Sequence, residues 1–242
     1  YVGSHGRDTE IFASNIDMLV QLPYTTYEKF NAYTSNGQSA LLQEVKKVIE
    51  KTYSVTELEA DGQIISIPFL DGINFEVLPA FINKDGSSYT FANSNNGGSW
   101  KVTDPRAEIT AIQSMKINAF QLEKVMQNVP SMEDKNNVDI GGILLDILSY
   151  NFICTWEYRD KSYVYYDWMT RDFLKYVSER PTSQYRWQVM DSNRYITCFG
   201  SFQSKAKTSY EKALEAIEDE TKYPSSANAE WRGIYGSKLP TL

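Results

Sequence analysis

Short runs of alternating apolar and polar residues, typical of β-strands, dominate the first part of the chain. The stretch IDMLVQLP, residues 16–23, predicts a strand that ends at Pro23. The runs QIISIPFL (63–70) and INFEVLPAF (73–81) predict two more strands, and the Asp71-Gly72 pair between them is a strong hairpin signal. Residues 37–53 instead carry apolar side chains at helical spacing. We therefore expect strands and helices to be mixed in this part.

The pattern changes near Pro105 and is helical from there on. The stretch between the two parts, residues 82–105, is rich in Gly, Asn and Ser and predicts a loop, with a short strand at 89–91. Four helices are predicted after it, over residues 105–127, 141–156, 165–179 and 201–220. The second of these is apolar on most sides, which indicates a buried helix.

This change of pattern predicts two lobes of different character. We place the boundary so that residues 1–110 form a mixed lobe and residues 111–242 form a helical lobe. No linker separates them, so we expect the lobes to pack against each other, with the cleft between them as the default ligand site. The predicted fold class is α+β.

Composition excludes several classes of function. The chain has 242 residues and a net charge of −7, which argues against a surface that binds nucleic acid. No apolar run is long enough to predict a membrane-spanning helix. His5 is the only histidine, and nothing resembles a nucleophile elbow, which argues against a Ser-His-Asp hydrolase. The two cysteines, Cys154 and Cys198, permit one disulfide, but we expect reduced thiols and a cytoplasmic protein.

The most informative feature is an acid inside the first predicted strand. Side chains at i and i+2 share one face of a strand, so Asn15 and Asp17 lie opposite the apolar residues. The same alternation places Asn74 and Glu76 on one face of the run 73–81. If these strands are neighbours, the polar side chains converge, and such a group on an apolar sheet requires a cation. All its ligand atoms are oxygens, which favours Mg²⁺ or Mn²⁺.

A Gly-Ser turn precedes that strand by ten residues. Gly3 allows the backbone to approach a phosphate closely, and Ser4 offers an amide and a hydroxyl. Together with carboxylate-bound metal, this arrangement suits nucleotidyl transfer. Each feature alone also has an ordinary interpretation, as a plain turn, a residue at the rim of the sheet or a surface glutamate. The order of the features along the chain is what makes the combination specific.

In this order, the motifs resemble the polymerase-β-like nucleotidyltransferase superfamily, and within it the bacterial cGAS-like enzymes (CD-NTases) that make cyclic di- or oligonucleotides. The resemblance extends along nearly the whole chain, through the segments GSHGRDTEI, SNID, DGINFEVLPAF, GGSWKVTDP, GGILLDIL, GSFQSKA and ANAEWRGIYGSKLP. It implies a two-lobed fold, a mixed sheet with helices packed against a helical lobe, that binds donor and acceptor nucleotides. It also implies a product that serves as a second messenger in anti-phage signalling.

The resemblance assigns roles to further residues. DFLKYV resembles a helix whose lysine, here Lys175, reaches the donor triphosphate, and MDSNRY resembles the segment whose serine, here Ser192, binds it too. The alternatives are a solvated helix lysine and a turn serine. The implied partners are NTPs, ATP or GTP or both, and a separate effector protein that senses the product, with no membrane and no nucleic-acid activator.

Two features depart from the family pattern. The family has a helix that braces both lobes ahead of the Gly-Ser motif, whereas this sequence starts at Tyr1, and we expect that a segment is missing before it. Asn15 stands where the family has Asp, so it keeps an oxygen but loses a charge. The leading hypothesis is thus a metal-dependent cyclic nucleotide synthase in a weakened or inactivated form. A catalytically silent nucleotide sensor is the second hypothesis, and a different nucleotidyltransferase, which modifies RNA, a protein or a small molecule, is the third.

Overall fold

The chain folds as an N-terminal unit, Tyr1–Ala111, and a C-terminal unit, Ile112–Leu242. A computed structural model describes the residues 1–8, 15–53, 57–70, 72–114, 142–192, 194–236 and 239–241. Each unit has its own core and is described by itself.

A mixed sheet forms the centre of the N-terminal unit. Its strands are β1 (Asn15–Gln21), β2 (Glu59–Asp61), β3 (Ile64–Pro68), β4 (Asn74–Ile82), β5 (Tyr89–Asn93) and β6 (Ser99–Thr103). Only β1 and β4 pair in parallel, while the other neighbouring strands run antiparallel. The described part of this unit contains the helices α1 (Gly3–Arg7), α2 (Tyr24–Asn31), α3 (Gly37–Glu50) and α4 (Pro105–Ser114).

Strand β4 is the central strand of this sheet. Val77 pairs with Met18 of β1 and with Ile65 of β3, so these two strands lie on opposite edges of β4. Further along, the β3 edge of β4 is taken over by β5, because Ala80 pairs with Phe91 as well as with β1. The first strand of the unit is thereby held next to a strand about sixty residues away in the sequence.

Both faces of the sheet carry apolar side chains. On one face Ile65, Ile67 and Val77 are buried, and Val45 and Ile49 of α3 pack against them. The opposite face holds a cluster of buried residues in β4 and β5, namely Ala80, Tyr89 and Phe91. The even spacing of strand residues places Asp17 and Glu76 on this second face, at the end where β4 begins.

The structure confirms the first-half strands and corrects the predicted loop. The hairpin is formed as predicted, with β3 antiparallel to β4 and Gly72 at a φ of 87° in the turn. The prediction of a loop over 82–105 holds only in part, because the short strand predicted at 89–91 is present as β5, whereas β6 was not predicted. These two five-residue strands are defined by pairing with each other and with β4, while Gly97 and Gly98 form the tight turn that misled the composition argument.

The C-terminal unit is built mainly from helices. The described helices are α5 (Gly142–Thr155), α6 (Tyr166–Ser178), α7 (Phe202–Asp219) and α8 (Pro224–Tyr235). Leu174, Ala213 and Ile234 bring α6, α7 and α8 together in one buried cluster. Helix α5 is buried on several sides, which confirms what its apolar pattern predicted.

Two further elements of this unit were not predicted. Strands β7 (Arg186–Gln188) and β8 (Tyr195–Thr197) form an antiparallel ribbon, so the second half is not entirely helical. Helix α8 was not predicted either, because Ser, Asn and Gly residues interrupt the apolar spacing along its sequence. The predicted helix over 105–127 is seen as α4 up to Ser114, and its remainder lies outside the described residues.

Two expectations from composition bear on this description. Among the described residues, no helix combines the length and the apolar character that crossing a bilayer demands. Cys154 and Cys198, both in the described part of the chain, form no disulfide with each other.

Candidate active site

The structure brings the two acids of the predicted site together on neighbouring strands. In the parallel pairing of β1 with β4, Asp17 is the Cα partner of Glu76, and Asn15 is the partner of Asn74. Side chains at paired positions share one face of the sheet and lie one strand spacing apart. The sequence analysis had to assume that these two strands are neighbours, and in the structure they are. Their pairing places the carboxylates of Asp17 and Glu76 side by side.

Asn15 is engaged with one of these carboxylates. Its amide nitrogen Nδ2 donates a hydrogen bond of 2.8 Å to Oε1 of Glu76. The amide thus faces the carboxylate with its donor side, which an aspartate could not do. Compared with an aspartate, an asparagine at this position changes both the charge of the site and its hydrogen bonding.

The protonation of both acids is shifted in the same direction. Burial raises the pKa of Asp17 above its ordinary value, and the positive charges of Arg7 and His5 offset part of that shift. Burial also raises the pKa of Glu76, and the negative charge of Asp17 raises it further. Two half-buried carboxylates that repel each other are stabilised by a cation placed between them.

Gly3 lies directly against the Asp17 carboxylate. A Cβ atom at Gly3 would fall 1.9 Å from Oδ2 of Asp17, and the φ of Gly3 is 63°. The backbone amide of Val2 also donates a hydrogen bond of 2.9 Å to the Asp17 carbonyl. Only a glycine fits this close approach, which seats the Gly3-Ser4 turn on the strand that carries the acid.

A buried ion pair anchors the other end of α1. Arg7, its last residue, contacts Oε2 of Glu108 in α4 through NH1 at 3.2 Å, and both side chains are over 90% buried, with exposures of 7% and 5%. The pair connects the Gly-Ser turn to a helix about a hundred residues away in the sequence. Sequence reasoning missed it, since nothing in the local pattern of either residue identifies its partner.

Two more polar residues continue the row of acids across the sheet. Ser66 of β3 is the Cα partner of Glu76, and its hydroxyl donates a hydrogen bond of 2.7 Å to Oδ1 of Asn74. Ser66 was not singled out from the sequence. The available signal was a lone hydroxyl between the isoleucines of IISIP, on the same face as Glu76 by alternation.

Ser4, Lys175 and Ser192 are placed in different elements. Ser4 is half-buried in α1, next to Gly3. Lys175 lies in the last turn of α6, where it is exposed and contacts Glu179 at 4.0 Å. Ser192 is buried in the turn between β7 and β8, and its hydroxyl accepts a hydrogen bond of 3.0 Å from the amide of Arg194. The first belongs to the N-terminal unit, the other two to the C-terminal unit.

The donor set fits a hard divalent cation. Asp17, Glu76 and the carbonyl of the Asn15 amide offer oxygen atoms only, which suits Mg²⁺ or Mn²⁺ rather than zinc. Within the described ranges, no three His, Cys, Asp or Glu side chains cluster in a way that would hold a metal ion. The site therefore offers two carboxylates, Asp17 and Glu76, and the neutral amide of Asn15.

Comparisons with known proteins match this fold and its first unit. Residues 1–116 match the family described as Second Messenger Oligonucleotide or Dinucleotide Synthetase domain, abbreviated SMODS. A comparison with curated proteins finds no match.

Several solved structures have the same fold. Escherichia coli CdnC with ATP has a TM-score of 0.64 at 13% identity, over 99% of this chain and 83% of that chain. Vibrio cholerae DncV, a cyclic AMP-GMP synthase in complex with a linear intermediate, has a TM-score of 0.69 at 15% identity, over 99% and 69% of the two chains. Elizabethkingia meningoseptica CdnE, a cyclic dinucleotide synthase with GTP and Apcpp, has a TM-score of 0.62 at 12% identity, over 89% and 83%.

These matches confirm the α+β fold class and the resemblance stated from the motifs. The identities are low, so the structural likeness establishes the fold, while the domain match covers the unit that holds Gly3, Asp17 and Glu76. Residues 1–116 therefore resemble a SMODS domain, and the chain has the fold of CdnC, DncV and CdnE.

Proposed function

We propose that this chain is a metal-dependent nucleotidyltransferase whose active form joins NTPs into a cyclic dinucleotide or a short cyclic oligonucleotide. The observation that carries the proposal is the pairing of Asp17 with Glu76 directly beside Gly3. Two paired carboxylates next to a glycine turn supply oxygen ligands and a close backbone approach, which a metal–triphosphate complex needs.

Each candidate residue has a role in this proposal. Asp17 and Glu76 bind the divalent cation, Mg²⁺ or Mn²⁺, with Asn15 as a neutral third ligand. Gly3 and Ser4 bind the triphosphate through the backbone and the hydroxyl, and Lys175 and Ser192 bind it from the C-terminal unit. We assign residues 1–110 to the catalytic core and residues 111–242 to completing nucleotide binding.

The reaction is a displacement at phosphorus. A ribose hydroxyl of the acceptor attacks the α-phosphorus of the donor, the new P–O bond forms, and the bond to pyrophosphate breaks. Asp17 and Glu76 would hold a divalent cation, which when bound would lower the pKa of the hydroxyl and stabilise charge on the leaving group. Asp17 and Glu76 supply the negative charge that holds the reacting groups in place, and a second transfer closes the ring.

Asn15 weakens this proposed chemistry at a defined place. Asn15 contributes no charge, and its amide nitrogen donates a hydrogen bond to Oε1 of Glu76. Both effects reduce the negative charge offered to a cation beside the attacking hydroxyl. We therefore propose that the chain binds NTP but transfers the nucleotidyl group slowly.

The same observation favours a second candidate function. A nucleotide-binding protein without transferase activity would keep Gly3, Asp17 and the triphosphate ligands while losing one acid. The hydrogen bond from Asn15 to Glu76 satisfies a carboxylate that would otherwise need a cation, which is what a silent sensor requires.

The proposed partners follow from the proposed chemistry. The substrates are ATP, GTP or both, in line with the ATP and GTP held by CdnC and CdnE. The product would act as a second messenger in anti-phage signalling through a separate effector protein. With a net charge of −7, the chain needs neither a membrane nor a nucleic-acid activator in this proposal, and we place it in the cytoplasm.

Calorimetry with and without EDTA tests the proposal. We expect ATP or GTP to bind in Mg²⁺ or Mn²⁺, and the affinity to fall sharply when the metal is removed. Asp17→Ala should abolish the metal-dependent part of binding while leaving the fold intact. Equal affinity with and without metal would contradict a metal-bridged site.

A further inference from the structure

The polar face of the sheet extends beyond the residues to which the proposed chemistry gives a role. Asn74 is the Cα partner of Asn15 across the β1–β4 pair, and Ser66 faces Glu76 across the β3–β4 pair. Asn74 extends the polar face along β4 by one more side chain, and Ser66 extends it across to β3. Their chemistry is neutral, so they add hydrogen-bonding capacity and no charge.

Ser66 orients the amide of Asn74. The Ser66 hydroxyl donates to Oδ1 of Asn74 at 2.7 Å, and the contact is partly buried. Because the amide is planar, a hydrogen bond that fixes Oδ1 of Asn74 also fixes the position of its donor nitrogen Nδ2. Among the described residues, none accepts a hydrogen bond from this nitrogen, whereas Nδ2 of Asn15 already donates to Glu76.

We propose that Asn74, oriented by Ser66, donates a hydrogen bond to a ribose hydroxyl of the acceptor nucleotide. The inference rests on the proposed function, in which the attacking hydroxyl lies beside Asn15. Asn74 is one strand spacing from Asn15, and its amide nitrogen is a hydrogen-bond donor with no acceptor among the described residues. A ribose offers a hydroxyl at that place, while the triphosphate is bound at Gly3 and Ser4.

This contact would make Asn74 a specificity residue for ribonucleotides. An acceptor that lacks the hydroxyl leaves the half-buried Asn74 donor without a partner, which costs more than the hydrogen bond alone contributes. A neutral hydrogen bond of this kind changes affinity by about three- to tenfold. Ser66 acts through Asn74 and is a positioning residue.

The test separates the two nucleotides. The full chain is first saturated with α,β-methylene-ATP and Mg²⁺, which fills the donor position without reaction. AMP, 2′-deoxy-AMP and 3′-deoxy-AMP are then titrated as acceptors. We expect the unsubstituted chain to bind AMP more tightly than at least one deoxy analogue.

Substitutions then assign this preference to Asn74. Asn74→Ala should weaken AMP about three- to tenfold and remove the preference over that deoxy analogue. Ser66→Ala should act in the same direction with a smaller effect, and the double variant should bind AMP no more weakly than Asn74→Ala.

A matched pair elsewhere in the same sheet serves as control. The hydroxyl of Thr90 donates to Oδ1 of Asn83 at 2.8 Å, a partly buried contact of the same kind at the far end of β4. Asn83→Ala and Thr90→Val should lower thermal stability while leaving the ratio of AMP to deoxy-AMP affinity unchanged. A purely structural role of Asn74 would behave like this pair.

The possible failures are distinguishable. If α,β-methylene-ATP does not bind in Mg²⁺, the proposed function itself fails. If it binds but AMP does not, or if Asn74→Ala weakens AMP and both deoxy analogues equally, the assignment of Asn74 to a ribose hydroxyl is overturned. A loss of α,β-methylene-ATP affinity in Asn74→Ala would place the contact on the triphosphate instead, and would also overturn it.

Discussion

At the scale of single residues, we propose that the neutral amide of Asn15 limits the transferase activity of this site. With Asp in its place, the site would offer three carboxylates, and the hydrogen bond to Oε1 of Glu76 would be lost. We expect Asn15→Asp to raise the rate of product formation by about 10²- to 10³-fold. This is the change in rate that the loss or gain of one preorganised electrostatic group typically causes. Pyrophosphate release at matched NTP and Mg²⁺ measures this.

Two comparisons make this prediction specific. Donor binding should change little in Asn15→Asp, because the charge acts on the chemical step. Asn15→Ala serves as the control and should stay as slow as the chain with Asn15, since it also lacks the acid. An Asn15→Asp variant that folds and binds NTP but is no faster would favour the nucleotide sensor over the enzyme.

The raised pKa values of Asp17 and Glu76 predict a dependence on pH. An acid with a raised pKa binds its proton more tightly in the folded state than in the unfolded state. Without metal, its contribution to the free energy of unfolding therefore falls as the pH rises. The fall begins near the ordinary carboxyl pKa of about 4 and ends above the raised pKa. The affinity for a divalent cation should rise over the same range, because the cation needs the ionised form.

Urea unfolding in EDTA measures the first effect against a variant. The stability of the unsubstituted chain minus that of Asp17→Asn should decrease as the pH rises through this window, since the asparagine cannot ionise. Titrations of Mn²⁺ at the same pH values measure the second effect. A stability difference that is flat across the window would show that Asp17 ionises as easily in the folded chain as in the unfolded one.

At the scale of elements, α1 is held at both ends. The Arg7–Glu108 pair fixes its last residue to α4, and both side chains are buried. We expect Glu108→Ala to destabilise the chain by about 3–5 kcal/mol, because it removes one side of a buried ion pair. Urea unfolding measures the loss.

Two further variants separate the cost of burying a charge from the attraction between Arg7 and Glu108. The double variant Arg7→Met with Glu108→Leu should recover much of the loss, since a buried ion pair often contributes no more than apolar residues of similar volume. Lys46→Ala, which breaks a partly exposed i,i+4 pair with Glu50, should cost less than about 1 kcal/mol. If Glu108→Ala were as mild as Lys46→Ala, the pair would not anchor α1.

The other end of α1 depends on Gly3. Gly3→Ala would place a methyl group 1.9 Å from Oδ2 of Asp17, so either the turn or the carboxylate must move. We expect metal-dependent NTP binding to be lost or to fall by at least about tenfold. Calorimetry in Mg²⁺ measures this loss.

The matched control for Gly3→Ala is Gly86→Ala, at a φ of 74° and with nothing within 4 Å of the added methyl group. It carries the backbone strain without the clash and should leave NTP binding unchanged. Strong NTP binding by Gly3→Ala would show that the turn does not have to approach Asp17.

At the scale of the whole molecule, the family resemblance assigns a contact with the donor triphosphate to a residue of the C-terminal unit. Lys175 belongs to the C-terminal unit and is exposed in the last turn of α6. If it reaches the triphosphate, Lys175→Ala should weaken NTP binding by about ten- to a hundredfold, and equally for ATP and GTP, because the contact is to phosphate and not to the base.

Lys207→Ala, a change to an exposed lysine of α7, is the control for charge alone and should have little effect. A Lys175→Ala variant that alters the preference between ATP and GTP would show that Lys175 contacts the base. A variant with unchanged affinity for both would remove Lys175 from the site.

Some features of this protein could be predicted from the sequence alone, because they depend on local periodicity. The alternation in β1 and β4 placed Asn15 and Asp17, and separately Glu76, on polar faces, and the Asp71-Gly72 signal predicted the β3–β4 hairpin. Likewise, the motifs that resemble cGAS-like enzymes indicated the fold that the comparisons confirm. Each of these signals lies within a few consecutive residues or in a family pattern.

Other features were decided only by the tertiary structure, because periodicity gives the face of a strand but not its neighbour. The parallel pairing that sets Asp17 beside Glu76 joins residues about sixty positions apart, and the Arg7–Glu108 pair joins residues about a hundred apart. The local sequence pattern did not predict the short strand β6, because cross-strand hydrogen bonds define it. The hydrogen bonds from Asn15 to Glu76 and from Ser66 to Asn74 exist only because this pairing brings three strands into one register.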